Sequence, residues 1–351
     1  MLELMSEPLL LALFGGIGGL ALGLAARLGR FCTLGAIEDL LYGGSDVRLR
    51  MWGVAIGVGV IGTYALHAVG YLDLGTSLYL SQTWSPMSSI LGGLLFGYGM
   101  ALSGNCGFGA LARLGGGDLR SFVIVLVMGL ASYITLAGPL AALRVGLFPV
   151  EQAGANTPGI AHGLSQLTGL SATAIGLTLG LVILALSGGK LMRNGHGASL
   201  FWGAVVGLAI VSGWAGTYWL SENGFLATLV RSHTFSAPIG ETMLYAMTSS
   251  GSTLTFGIGS VFGVLTGAFI GSLIKGHFRW EACEDPRELR RQILGAVLMG
   301  IGAVTAVGCS VGQGISAFSV LAYSAPVTMA AIIAGAALGL RQLITGFASV
   351  S

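Results

Sequence analysis

The side chains best suited to chemistry in this sequence are four cysteines, and two of them end copies of one pattern. Leu91 to Cys106 reads LGGLLFGYGMALSGNC, and Leu294 to Cys309 reads LGAVLMGIGAVTAVGC. Aligned without a gap, they share six of sixteen positions: Leu91/Leu294, Gly92/Gly295, Leu95/Leu298, Gly97/Gly300, Gly99/Gly302 and Cys106/Cys309. The register runs on through Gly109/Gly312 and Ser121/Ser324, and upstream Phe31-Cys32 falls opposite Phe235-Ser236. Self-similarity of this kind marks two copies of one structural plan, each closing a hydrophobic stretch on a glycine-flanked cysteine.

The thiols lie far apart in sequence, without a CxxC or Cys/His cluster, which argues against a zinc site. Gly104 and Gly107 flank Cys106, and Gly308 and Gly312 flank Cys309. Such glycines let the backbone bend sharply between a long helix and a short one. The thiol then sits at a helix N-terminus, where unpaired N–H groups and the helix dipole favour an anion. A thiol is soft, polarisable and weak both as donor and as acceptor. It suits a sulfur-bearing anion better than a hard oxyanion, and weak binding favours release as well as capture. Cys32, Cys106 and Cys309 therefore read as a stepwise path, with Ser236 as the polar stand-in at the fourth symmetric position. The competing reading is that a free cysteine is a small buried hydrophobe; the repeat argues against it for Cys106 and Cys309. Cys283, within RWEACEDPRELRRQ, reads as part of a solvated helix without a role in the path.

Other polar residues carry less. Asn105 and Gln313 have amides that serve equally to donate to an anion or to satisfy bent backbone. Glu38, Asp39 and Glu241 are candidate proton sites at membrane depth, with helix capping near an interface as the favoured alternative. Arg113 and Arg120 read as topology determinants, and the five histidines are scattered without partners. Neither a metal nor a cofactor is expected.

The elements that position these residues are membrane-spanning. With 54% hydrophobic and 9% charged residues in 351, the chain departs from soluble proteins, in which about a quarter of residues are charged. The net charge of +2 and the absence of long basic tracts argue against nucleic-acid binding. Early Glu3 and Glu7 without Lys or Arg argue against a cleavable signal peptide.

Nine apolar stretches reach toward the roughly 30 Å of a bilayer core: Pro8 to Leu28, Met51 to Gly70, Met87 to Ser103, Phe122 to Leu143, Ala172 to Leu186, Leu200 to Leu220, Leu254 to Ile274, Ile293 to Gly308 and Val327 to Thr345. The third, fifth and eighth are short, and short Gly-interrupted spans at matching places in two halves point to broken helices around a transport site. Four further pieces, Phe31 to Tyr42, Cys106 to Leu114, Pro238 to Met247 and Ser310 to Tyr323, are too short to cross and too apolar for solvated loops. They are expected as re-entrant helices buried in protein or lining a cavity.

Every second loop is rich in Arg and Lys, which predicts a periplasmic N-terminus and a cytoplasmic C-terminus. Spans one to four match spans six to nine, an odd shift, so the second copy is inverted. The expected fold is an all-α integral membrane protein, hourglass-like, with a first repeat over residues 1–143, a connector over 144–198 containing the fifth span, and an inverted repeat over 199–351. Gly15, Gly19 and Gly23 suit internal packing and dimerisation equally.

The segments RFCTLGAIEDL at Arg30 to Leu40, GMALSGNCGFGALARL at Gly99 to Leu114 and GAVTAVGCSVGQGISAFS at Gly302 to Ser319 resemble the YeeE/YedE family of bacterial inner-membrane transporters of sulfur compounds, over nearly the whole chain. The resemblance implies uptake of thiosulfate, handed along through S–H···S contacts by Cys32, Cys106 and Cys309. It further implies a cytoplasmic sulfurtransferase or sulfur-carrier protein as partner, and some relatives are associated with selenium. The expectation is thus a transporter, not an enzyme. The alternatives are transport of another sulfur or selenium species, a membrane thiol oxidoreductase or sulfurtransferase using a Cys106–Cys309 pair, and a scaffold with incidental cysteines. The disulfide form of the enzyme needs Cα atoms within about 7 Å.

Overall fold

The computed structural model describes residues 6–149, 153, 157–225, 228–282 and 285–346. The apolar stretches fold as helices because a bilayer offers no partner to an open backbone, so each segment must satisfy its own N–H and C=O groups. In order they are α1 (Glu7–Leu28), α2 (Thr33–Leu41), α3 (Val47–Ala68), α4 (Pro86–Ser103), α5 (Gly107–Gly115), α6 (Leu119–Leu136), α7 (Ala141–Leu147), α8 (Ile160–Thr168), α9 (Ala172–Arg193), α10 (Gly197–Asn223), α11 (Ser236–Thr248), α12 (Phe256–Ile274), α13 (Pro286–Thr305) and α14 (Ser324–Thr345). A short helical segment, residues 310–319, lies between α13 and α14 and is widened to a π-helix over Gly312–Ala317. The chain is an all-α integral membrane protein.

Among the described residues, eight helical stretches are long and apolar enough to cross a bilayer. Of the nine expected spans, α13 is the one outside this set. It has 20 residues, but its first turns carry Arg287, Glu288, Arg290 and Arg291. The expected short fifth span is a full crossing instead. α9 continues to Arg193 over 22 residues, about 33 Å at the helical rise, because Gly188 and Gly189 do not break it. The fourth ends at Leu136, and the connector holds two short helices, α7 and α8, that apolar periodicity did not mark.

The stretch RWEACEDPRELRRQ is also not one helix. Asp285 caps α13 by accepting from the Arg287 N–H at 2.8 Å, with Pro286 in the first turn. Proline at that position is pre-set for a helix start. Ahead of it, Glu281 is extended and pairs with the segment before α6: the Leu119 N–H donates to the Glu281 carbonyl at 2.9 Å, and the Glu281 N–H to Gly117 at 3.1 Å. Cys283 lies outside the described residues.

Helix packing follows a paired pattern. α1 packs on α12 while α10 packs on α3; α4 packs on α14 while α13 packs on α6; α6 packs on α11 while α14 packs on α2. Exchanging α1, α2, α3, α4 and α6 for α10, α11, α12, α13 and α14 therefore maps each of these contacts onto another. α9 stands outside this exchange, packed on α3 and α10. Gly15, Gly19 and Gly23 abut the backbone at Phe256, Ser260 and Val264 of α12, so this small-residue face serves internal helix packing.

Candidate substrate path

Cys32 and Cys106 occupy the N-caps of α2 and α5. Each sulfur accepts the N–H three residues on, Gly35 to Cys32 Sγ and Gly109 to Cys106 Sγ, both at 3.4 Å. This is the role ordinarily taken by a Ser or Asp oxygen, filled here by softer and weaker acceptors. Cys309 precedes the 310–319 segment, where its carbonyl accepts the Gln313 N–H at 2.8 Å. Ser236 opens α11, and its hydroxyl is buried without a hydrogen-bond partner.

The bend ahead of the cysteines has the same backbone form in both halves. Gly104 has φ 73° and Val307 has φ 56°, each two residues before its cysteine. Glycine takes this left-handed conformation freely; valine takes it at a cost. Gly312 lets Thr234 and Tyr79 approach: an added Cβ would meet Thr234 Oγ1 at 2.6 Å and Tyr79 Oη at 3.1 Å. Gly107 packs against the Met128 thioether and Gly308 against Gln313.

Two cavities reach toward the thiols from different ends. The first, about 380 Å³, is lined by Cys32, Gly104, Asn105 and Gly109 together with Arg27, Arg30, Arg48, Arg113 and Lys275. The second, about 350 Å³, is lined by Thr234, Ser236 and Gly308, with Tyr79, Arg144 and Arg231. Cys32 is half-buried at the first, whereas Cys106 and Cys309 are fully buried. All three thiols are free. Phe31, Phe108 and Phe235, all buried, pack in series between the cavities, with ring centroids 6.5 Å and 5.2 Å apart.

Hydroxyl groups accompany the sulfurs. Thr33 Oγ1 donates to Cys106 Sγ at 3.8 Å, and Thr234 Oγ1 lies 3.6 Å from Cys309 Sγ. The buried Ser310 hydroxyl stands beside Cys106 with its own hydrogen-bonding capacity unfilled. Burial and the neighbouring Cys309 push the Tyr79 phenol above its ordinary range, so it stays a neutral donor. Sequence reasoning missed Thr33, Thr234, Ser310 and Tyr79 as neighbours of the path. Adjacency to Cys32, Phe235 and Cys309 marks the first three; nothing in the sequence marks Tyr79.

The amides divide. Asn105 is buried and lines the first cavity. Gln313 instead ties backbone: its Nε2 donates to the carbonyls of Ala306 at 2.7 Å and Val307 at 3.2 Å, closing the end of α13. The carboxylates are paired or peripheral. Asp39 bonds Arg48 at 3.1 Å, Glu241 sits 3.5 Å from Arg231, and Glu38 lines the first cavity.

Comparison with known proteins agrees with this membrane architecture. A family model described as sulphur transport matches residues 28–338. The thiosulfate transporter TsuA of Spirochaeta thermophila is 25% identical over 318 residues, covering 88% of this chain and 92% of that protein. The Escherichia coli protein of the same name is 27% identical over 321 residues, 86% of each. A probable transporter, YedE of Escherichia coli, is 29% identical over 114 residues, 32% of this chain and 26% of its own length. Most of the chain being matched by the model, it belongs to the sulphur transport family and is a membrane transporter of sulfur compounds, not an enzyme.

Proposed function

We propose that the protein imports thiosulfate across the bacterial inner membrane, passing it from the second cavity to Cys309, Cys106 and Cys32 in turn and releasing it into the first. The observation that carries this reading is the arrangement of two buried free thiols between cavity floors formed by Thr234, Ser236 and Gly308 at one end and Cys32, Gly104 and Asn105 at the other. The named activity of the two TsuA relatives supports the choice of substrate.

A thiol S–H donates weakly to the terminal sulfur of thiosulfate, and neighbouring hydroxyls of Thr33, Thr234 and Ser310 can serve its oxygens. No bond to sulfur is made or broken. The working thiols are protonated, since a thiolate on the path repels a dianion. Ser236 holds the fourth position with a hydroxyl, and Gly107 and Gly312 keep the short helices close to their neighbours.

In this reading the two halves, 1–143 and 199–351, are inverted copies joined through 144–198, which the exchange pattern of helix contacts supports. The Arg- and Lys-rich loops favour a periplasmic N-terminus and a cytoplasmic C-terminus. A sulfurtransferase or sulfur carrier receives the ion at the basic cavity.

The test is uptake of ³⁵S-labelled thiosulfate in cells that need this protein to grow on thiosulfate. Cys106→Ala and Cys309→Ala are expected to lower uptake at least tenfold, and Cys32→Ala to reduce it clearly. Uptake unchanged in Cys106→Ala and Cys309→Ala, with the variants present in the membrane at normal level, overturns the thiol path.

A further inference from the structure

The two cavities differ sharply in charge. In the second, Arg231 lies beside Glu241 at 3.5 Å and Arg144 donates to the Thr135 carbonyl at 3.2 Å. The first presents Arg27, Arg30, Arg48, Arg113 and Lys275 against one lining carboxylate, Glu38. Arg48 is paired with Asp39 at 3.1 Å. Arg30 and Arg113 make neither an ion pair nor a hydrogen bond among the described residues. Their neighbours are held in place: Lys275 Nζ donates to the carbonyls of Arg27 at 2.8 Å and Leu28 at 3.1 Å, and Arg27 Nε donates to Ser272 Oγ at 2.6 Å. Burial, then Arg30 and Arg27, lower the Lys275 pKa. The cations therefore repel one another in a fixed frame, and that repulsion is relieved when an anion enters.

We propose that this cavity is a binding site for a small tetrahedral oxyanion, sulfate being the representative, formed by Arg30 and Arg113 with Lys275 and separate from the thiol constriction. The planar guanidinium fork matches paired oxygens of such an ion, and charge-assisted bonds of this kind are the strong ones. A cavity of about 380 Å³ admits the ion with part of its hydration shell. Sulfate has the charge and oxygens to bind here but lacks the soft terminal sulfur that the thiols favour. It is held at the basic cavity without being passed along. Oxyanions from the sulfur pool thereby compete with departing substrate and slow release. The competition rests on the transport reading above; the binding does not.

The test is the unfolding temperature of the purified protein in a zwitterionic detergent, titrated with sodium sulfate against sodium chloride at matched ionic strength. A ligand of the folded state raises that temperature saturably. We expect such a rise with sulfate, about tenfold weaker apparent affinity in Arg30→Gln/Arg113→Gln, and a smaller loss in Arg30→Lys/Arg113→Lys, which keeps charge but not the fork. The charge-keeping pair judges the site if the glutamine pair fails to fold. No sulfate-specific rise in the intact protein overturns the proposal, as does a rise undiminished in both double variants. A rise with phosphatidylglycerol but not with sulfate assigns these cations to lipid headgroups and also overturns it. Cys106→Ala separates the two ideas: it is expected to keep the sulfate response while losing thiosulfate uptake. Uptake retained in that variant counts against the thiol path alone, and a lost sulfate response counts against a site separate from it.

Discussion

Gly104 and Val307 hold the same left-handed backbone conformation, φ 73° and 56°, each two residues before a buried cysteine. The bend that turns a long helix into a short one is thus fixed by geometry, and only one half meets it with glycine. A β-branched residue there is strained. Val307→Gly is therefore expected to be more stable than Val307→Ala by about 1 kcal/mol, the reverse of their order in a helix interior. At Gly104 an added Cβ meets nothing within 4 Å, so Gly104→Ala loses about 1–2 kcal/mol through the backbone alone. Thermal unfolding of the purified variants measures both.

Thiol accessibility follows the same geometry. In a Cys283→Ala background, Cys32 is expected to react with a small anionic methanethiosulfonate faster than with its cationic counterpart, because Arg27, Arg30 and Arg113 surround it. Cys106 and Cys309, both buried, are expected to remain unmodified over the same interval. Mass spectrometry after timed labelling reads each site, and rapid modification of Cys106 by a cationic reagent contradicts the buried path.

Gln313 has a structural task that its variants expose. Its Nε2 satisfies two carbonyls at the end of α13, and removing a partner from buried acceptors costs about 1–3 kcal/mol. Gln313→Leu is expected to lower the unfolding free energy by that amount. Gln313→Glu, which cannot donate from both positions, is expected to behave alike.

Asp46 gives a pH signature outside the spanning helices. Hydrogen bonds from Lys190 and Arg50, at 2.8 and 2.7 Å, lower its pKa from 3.8 to about 2. A depressed folded-state value stabilises the fold above the unfolded value and ceases to do so as pH falls through the folded one. The difference in unfolding temperature between the intact protein and Asp46→Asn is therefore expected to be constant above pH 4 and to shrink from there toward about pH 2. A difference that is flat over that interval removes the proposed link between α3 and α9.

The parts of the molecule legible in sequence are those governed by long-range apolar periodicity and by the repeat. The helices containing Leu91–Ser103 and Leu294–Thr305, and the short helices after Cys32, Cys106 and Cys309, follow directly from them. Features governed by local capping were not legible. The Asp285–Pro286 start moved α13 back from the expected Ile293, and Gly188-Gly189 did not end α9, because tertiary packing on α3 and α10 overrides the low propensity of glycine. Within the path, residue type left Gln313 and Asn105 equivalent. Only their partners, backbone for one and a cavity for the other, distinguish them.

The aromatic series Phe31, Phe108 and Phe235 has a further implication for the cell. Hydrated protons and sodium need a continuous file of water to leak, and stacked rings with buried sulfhydryls supply none. An idle copy of this transporter can sit in an energised membrane without draining the proton motive force on which the rest of metabolism depends.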